Sequence, residues 1–213
     1  TVHVGVFTGN GWERHRQAKH HRWYLDESQI RQYQLTRTLD PSKVWWEAID
    51  LPARTVQIID LGGGMTLAPL VCEDLARLDE TADLLRRIGP TLVMAVLLDG
   101  PQLTGRWACR YASVLADEPG SAVLTITALG MAARSRLPGE RPSRVVAMWS
   151  DASTGRHELS LEPGAAGILL SAAVDMRTVW TADGRRHQDK TPIIELTGVR
   201  QVRAPAVRRG VST

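Results

Sequence analysis

The sequence lacks the features that mark several broad classes of protein. Only two cysteines, Cys72 and Cys109, occur in 213 residues, which excludes a disulfide scaffold and a four-cysteine zinc site. The longest apolar run, residues 92–98, is less than half of the roughly 18 residues that a membrane-spanning helix needs. We therefore expect a cytoplasmic protein with free thiols and no membrane contact.

Lysine is also scarce, although basic residues are not. The 26 basic residues include only three lysines, Lys19, Lys43 and Lys190, so each lysine is conspicuous. The net charge of +3 permits an acidic partner without requiring one. The composition, with 43% hydrophobic and 23% charged residues, is that of a globular domain. We place this domain at residues 1–203 and expect an Arg-rich, flexible tail at residues 204–213.

Strand and helix patterns alternate along the chain and predict an α/β (α+β) fold. The continuous apolar run at residues 92–98 predicts a buried strand, and residues 122–128 predict another, with a helix around Trp107 and Tyr111 between them. Residues 12–46 predict a long loop with one or two short helices, and long loops often carry function. Further strands are predicted at residues 2–6, 55–59, 65–71, 145–149, 168–170, 178–180 and 193–196.

Cys72 directly follows the predicted strand 65–71 and precedes a helical pattern that ends at Gly89 and Pro90. A thiol at a helix N-terminus lies near free backbone N–H groups and the positive end of the helix dipole. Both favour a thiolate, and the same N–H groups can hold an oxyanion. Glu73 and Asp74 oppose the thiolate by like charge. A buried, inert cysteine remains the alternative, and it is our expectation for Cys109.

The segment Leu70-Val71-Cys72-Glu73-Asp74-Leu75 resembles the nucleophile turn of the nitrilase, or carbon–nitrogen hydrolase, superfamily. The resemblance covers about residues 1–200. Strand 2–6 followed by Arg16-Gln17-Ala18-Lys19-His20-His21 is similar to the stretch that carries the family's catalytic lysine. Residues 89–131 also look like the nitrilase-like domains fused to bacterial defence-associated reverse transcriptases.

The resemblance implies a four-layer α-β-β-α sandwich with Cys72 as nucleophile and Lys19 as the oxyanion-stabilising cation. It supplies no general-base glutamate, since Glu13 lies in the predicted loop. We expect that glutamate upstream of Thr1, with the N-terminal portion of the fold missing and a partner strand for residues 2–6 within that portion. Without the base, this chain is expected to hydrolyse amides about 10²- to 10⁴-fold more slowly.

Several other residues are candidates for supporting roles. Glu27 or Glu47 is expected to hydrogen-bond Lys19, unless both are solvated loop charges. Glu73, Asp99 and Arg110 are candidates for the pocket around Cys72; an ion pair at the sheet edge is the alternative for the last two. The implied function is hydrolysis of a small amide or nitrile through an acyl-enzyme, without metal or cofactor, in a homo-oligomer whose second copy supplies the remaining layer.

Two other interpretations compete with the hydrolase. The chain can instead be a catalytically silent nitrilase-like module that serves assembly or nucleic-acid contact in a larger bacterial defence protein. Arginines interleaved with aromatic residues fit either a nucleic-acid surface or, as we favour, a solvated face; they are Arg14, Arg16, Arg22, Arg31, Arg37, Trp12, Trp23, Tyr24 and Tyr33. His15, His20 and His21 are expected to be solvated, and Gly62-Gly63-Gly64 predicts a hairpin turn and not a phosphate loop.

Overall fold

The computed structural model describes residues 1–50, 52, 54–77, 80–135, 141–180, 182–184 and 186–204. Within these ranges it is a mixed α/β protein with a central six-stranded sheet and four α-helices. Apart from Ala204, the predicted tail lies outside the described residues. None of the helices in the described ranges is both long and apolar enough to span a bilayer.

Strands predominate in both terminal parts of the chain, whereas strands and helices alternate in its middle. In chain order the elements are β1 (Val2–Thr8), β2 (Gly11–Gln17), β3 (Tyr24–Leu25), α1 (Glu27–Gln32), β4 (Trp45–Trp46), β5 (Ile59–Gly62), β6 (Met65–Val71), a 3-10 turn (Cys72–Leu75), α2 (Glu80–Ile88), β7 (Leu92–Leu97), α3 (Trp107–Asp117), β8 (Ala122–Thr127), α4 (Leu129–Arg134), β9 (Val145–Asp151), β10 (Gly155–Ser160), β11 (Gly167–Trp180) and β12 (Arg186–Val202).

The central sheet has the order β10-β9-β8-β7-β6-β5. Strands β6, β7 and β8 run parallel, with Leu67 opposite Leu92 and Leu92 opposite Ala122, and the outer strands are antiparallel. The buried strands predicted at residues 92–98 and 122–128 are therefore confirmed as β7 and β8. The strand predicted at residues 55–59 is displaced, because β5 begins at Ile59.

Successive residues of the central strands point to opposite faces of the sheet and build two separate cores. Val123 of β8 packs with Leu115 of α3 in the first core, on the helix-covered face. Its neighbour Leu124 packs with Trp149 of β9 and Ile194 of β12 in the second core. The sheet is thus covered by helices on one face and by the base of the β11–β12 hairpin on the other.

Residues 12–22 are not a loop throughout, as the sequence predicted. Gly11–Gln17 form β2, which pairs antiparallel with β1 from Val2 opposite Gln17 to Thr8 opposite Gly11. Strand β2 is polar and mostly exposed, so it carries no apolar alternation for a sequence pattern to detect. Strand β1 therefore has a partner strand within the chain. The prediction that residues 2–6 pair with a strand upstream of Thr1 was wrong.

A long hairpin replaces the three short strands predicted at residues 168–170, 178–180 and 193–196. Strands β11 and β12 pair from Gly167 opposite Val202 to Trp180 opposite Arg186. Small and polar residues connect the apolar clusters, and most of β11 is exposed on both faces. Because neither face of this region is buried, hydrophobic periodicity does not reveal its length.

Candidate active site

Cys72 lies where strand β6 ends, but it does not begin an α-helix. It opens the four-residue 3-10 turn, and α2 starts only at Glu80. The predicted continuous helix after Cys72 was therefore wrong, and with it the argument that a helix dipole favours the thiolate. Cys72 instead has a backbone φ of 54°. Non-glycine residues adopt this left-handed region at a cost of about 1–3 kcal/mol, and such strain concentrates at functional sites.

The buried Lys19 forms an ion pair with the partly exposed Glu47 beside this turn. Lys19 is 5% exposed, and its Nζ donates to Oε2 of Glu47. The backbone N–H of Trp23 donates to the same oxygen at 2.9 Å. Glu47 is therefore the lysine partner that the sequence left open. Glu27 is not, because it pairs with Arg31 on the exposed surface of α1 at 2.7 Å.

Two buried side chains hold the segment that carries Lys19. Gln17, at the end of β2, donates to the carbonyl of Thr55 at 2.8 Å and accepts from the N–H of Gln57 at 2.9 Å. Asp74 accepts from the backbone N–H of His20 at 3.1 Å and of His21 at 3.0 Å. Since Asp74 belongs to the same 3-10 turn as Cys72, these hydrogen bonds hold the segment that carries Lys19 against that turn.

The sequence interpretation missed this role of Asp74 and treated it only as a charge that disfavours the thiolate. Nδ1 of His21 also lies 3.0 Å from its Oδ1, so the His20-His21 pair does not act as two solvated side chains. The available signal was the acidic pair after Cys72 together with the residues that follow Lys19. Nothing in either segment indicated that they meet.

Burial raises the pKa of the Cys72 thiol. The positive charge of Lys19 and a hydrogen bond from the backbone of Leu98 lower this pKa, whereas the charges of Glu47 and Asp99 raise it. The raising causes prevail, contrary to the sequence expectation of a favoured thiolate. A nucleophilic role for Cys72 would therefore need a base that takes the thiol proton.

A second ion pair, Asp99 with Arg106, lies at the same site. Nη2 of Arg106 donates to Oδ1 of Asp99 at 2.8 Å, and the hydroxyl of Tyr33 donates to that oxygen at 2.8 Å. Burial, the negative charge of Asp99 and this hydrogen bond hold the pKa of Tyr33 well above its ordinary value. Asp99 is thus at the pocket, as the sequence suggested.

Two other candidates lie elsewhere. Arg110 was expected in the pocket, but its side chain is exposed on α3 and the cavity is lined by Arg106, four residues earlier. Arg106 precedes the helix with extended backbone, which lets its side chain reach Asp99. Glu73 pairs with Arg77 at 2.8 Å and does not line the cavity.

Cys72, Glu47, Asp99 and Arg106 line one cavity of about 550 Å³. Its volume lies in the range of small-molecule sites. Among the described residues, four of the seven tryptophans of the chain line this cavity: Trp23, Trp45, Trp46 and Trp107. Trp23 and Tyr33 therefore do not belong to the arginine-rich surface considered from the sequence, because both contribute to the cavity.

No protein-family model matches this chain, and no curated protein matches it significantly. The described ranges contain no group of three or more His, Cys, Asp or Glu side chains suited to holding a metal ion. The chemical groups at the site are the Cys72 thiol and the two ion pairs.

Iodoacetamide is expected to alkylate Cys72 before Cys109, because Cys109 is fully buried in α3 while Cys72 opens onto the cavity. The rate should keep rising above the ordinary thiol pKa, since burial raises the pKa of Cys72. Lys19→Ala should slow alkylation at a given pH, because Lys19 lowers that pKa. Mass spectrometry after brief labelling at several pH values measures all three effects. Preferential labelling of Cys109, or an unchanged pH profile in Lys19→Ala, would contradict the geometry.

Proposed function

We propose that the protein is a thiol-dependent hydrolase that cleaves carbon–nitrogen bonds in amides or nitriles through an acyl-enzyme. The observation that carries the proposal is that Cys72 and Glu47 line one cavity, and that Glu47 is paired with the buried Lys19, whose charge acts on the Cys72 thiol. A strained thiol beside a cation and a carboxylate has the three functions that acyl transfer needs: a nucleophile, an oxyanion stabiliser and a base.

The acylation step uses Glu47 as the proton acceptor. Glu47 takes the proton from Sγ of Cys72, and the thiolate forms a bond to the carbonyl carbon of the amide. The electron pair of the carbonyl moves to oxygen, where Lys19 stabilises the negative charge. When the carbonyl re-forms, the carbon–nitrogen bond breaks and Glu47 returns its proton to the leaving nitrogen. The products are ammonia, or an amine, and a thioester on Cys72.

The deacylation step consumes one water molecule. Glu47 takes a proton from water as the hydroxide oxygen bonds to the thioester carbon, and Lys19 again stabilises the oxyanion. The carbon–sulfur bond then breaks, and the thiolate recovers its proton from Glu47. The net reaction converts an amide and water to a carboxylic acid and ammonia.

Glu47 is chosen over Asp99 because its carboxylate is the more exposed of the two. Asp99 is 4% exposed and accepts from both Tyr33 and Arg106. The side chain of Glu47 is 35% exposed, so water can reach it. The negative charges of both carboxylates raise the pKa of the Cys72 thiol.

The nitrilase-type architecture is part of the proposal. The central sheet has helices on one face and β-structure on the other, which is compatible with half of a helix–sheet–sheet–helix arrangement. A second copy of the chain, in a reducing cytoplasm, would supply the remaining layer. The position of Cys72 at the junction of strand β6 and the 3-10 turn supports this assignment.

Hydrolysis is tested by ammonia release from a panel of primary amides. Cys72→Ala is expected to reduce the rate to background, because the acyl-enzyme cannot form without Sγ. Cys109→Ala is the matched control and should retain the wild-type rate, since Cys109 lies in the first core away from the cavity. Equal turnover by wild type and Cys72→Ala would exclude the thiol mechanism.

A silent module for assembly is the second candidate, and the β11–β12 hairpin favours it. This hairpin carries exposed apolar side chains, among them Leu169, Val174, Met176, Trp180 and Val199. Exposed apolar strands commonly associate with other chains. Oligomers formed through the hairpin, combined with no turnover on any amide, would favour this role, including nucleic-acid contact within a larger defence protein.

A further inference from the structure

We infer that the cavity takes an uncharged ligand with a bulky, apolar acyl group, and that Trp46 is a specificity-determining residue for it. The inference rests on the proposed function in one respect, which is that the reacting group is an amide. The size and charge of the rest of the ligand follow from the cavity itself.

The walls of the cavity are predominantly aromatic and aliphatic. Trp23, Trp45 and Trp46 belong to β4 or flank β3. Leu98 directly follows β7, Trp107 begins α3, and Met131 lies in α4. Indole rings supply large apolar contact area and favour stacked or edge-on contacts with another ring. A two-carbon acyl group would leave most of the 550 Å³ empty, whereas an arylalkyl group would contact several of these rings.

The charged side chains at the cavity are compensated in pairs. Glu47 is paired with Lys19, which lies behind it and does not line the cavity, and Asp99 is paired with Arg106. A ligand with its own net charge would have to break one of these pairs or enter an apolar site without a counter-charge, and both are costly. A neutral ligand avoids this desolvation cost.

One segment supplies both the aromatic wall and the proposed base. Strands β3 and β4 form a small sheet in which Tyr24 is opposite Trp46, and their rings are 5.0 Å apart and tilted. Glu47 follows Trp46 directly in the sequence. A ligand that packs against Trp46 therefore contacts the residue next to the carboxylate that holds Lys19.

Binding to the Cys72→Ser variant tests the inference without turnover. Calorimetry with phenylacetamide, acetamide and phenylacetate as probes is expected to show phenylacetamide binding at least about tenfold more tightly than either of the others. Trp46→Ala should remove about tenfold of the affinity for phenylacetamide, and Trp46→Phe should keep most of it because an aromatic ring remains.

Trp12→Ala is the matched control for Trp46→Ala. Trp12 is 71% exposed and pairs with Phe7 at 5.3 Å on the β1–β2 hairpin, while Trp46 is 60% exposed and pairs with Tyr24 at 5.0 Å. Both variants remove an exposed indole from an aromatic pair, but only Trp46 lines the cavity. Thermal unfolding of both variants checks that they remain folded, and the preference of Cys72→Ser for phenylacetamide over acetamide and phenylacetate still tests the inferred ligand if Trp46→Ala does not fold.

The possible outcomes separate the ligand from the chemistry. Equal affinity for acetamide and phenylacetamide, tighter binding of phenylacetate, equal losses in the two alanine variants, or no binding of any probe would each overturn the inference. Hydrolysis of acetamide and phenylacetamide at equal kcat/KM by the wild-type protein would leave the proposed function standing and remove the inference. Selective binding of phenylacetamide without any hydrolysis would support the inferred ligand and contradict the proposed function.

Discussion

Replacing Glu47 by Gln is expected to lower kcat/KM for amide hydrolysis by about 10²- to 10⁴-fold, the usual effect of losing a general base. Glutamine keeps the size of the side chain and an oxygen that can accept from Lys19 and from the N–H of Trp23. It cannot take a proton from the Cys72 thiol, whose raised pKa makes proton removal necessary near neutral pH. Steady-state rates of ammonia release measure the effect.

Glu27→Gln is the control for this substitution. Glu27 lies on the exposed surface of α1 and pairs only with Arg31 in the structure as described, so its loss should leave kcat/KM unchanged. Thermal unfolding of Glu47→Gln is needed beside the kinetics, because Lys19 is buried and loses its counter-charge. A folded Glu47→Gln variant with the wild-type rate would assign the proton transfer to another group.

Asp74→Ala is expected to lower the free energy of unfolding by about 3 kcal/mol, because it leaves buried donors without an acceptor. The carboxylate is 2% exposed and accepts from the backbone N–H groups of His20 and His21. Its loss should also slow amide hydrolysis, since these bonds hold the Lys19 segment against the turn that carries Cys72. Urea unfolding monitored by tryptophan fluorescence measures the stability, and ammonia release measures the rate.

The neighbouring carboxylate provides the comparison. Glu73 pairs with Arg77 on the same turn, and Glu73→Ala should change the free energy of unfolding by less than about 1 kcal/mol. A similar loss in both variants would mean that the turn is sensitive to any change of charge and that Asp74 has no special role. A wild-type rate in a folded Asp74→Ala variant would show that Lys19 keeps its place without the anchor.

The sequence predicted those parts of the fold whose signal is local. Strand β7 is a continuous apolar run and β8 is mostly apolar because both of their faces are buried, and each pattern lies within one element. The sequence signal that places Cys72 directly after β6 is also local, because the strand and the cysteine are adjacent in the chain. Strand β2 is polar and mostly exposed, and the outer part of the β11–β12 hairpin is exposed on both faces, so burial imposes no periodicity on either.

The site was only partly predictable because its pairs come from distant segments. Lys19 and Glu47 are separated by 28 residues, and His20 and Asp74 by 54, so no sequence spacing indicates that they meet. The choice between Arg106 and Arg110 depends on whether the residue precedes helix α3 or lies within it. That boundary is the kind of detail that hydrophobic patterns define least well.

The left-handed backbone of Cys72 has a consequence for how this protein can evolve. Because glycine, asparagine and aspartate adopt φ near 54° more readily than cysteine does, the protein is less stable with its thiol than the same backbone would be with one of those residues. Substitutions that stabilise the protein and leave this thiol in place must therefore be sought elsewhere in the chain.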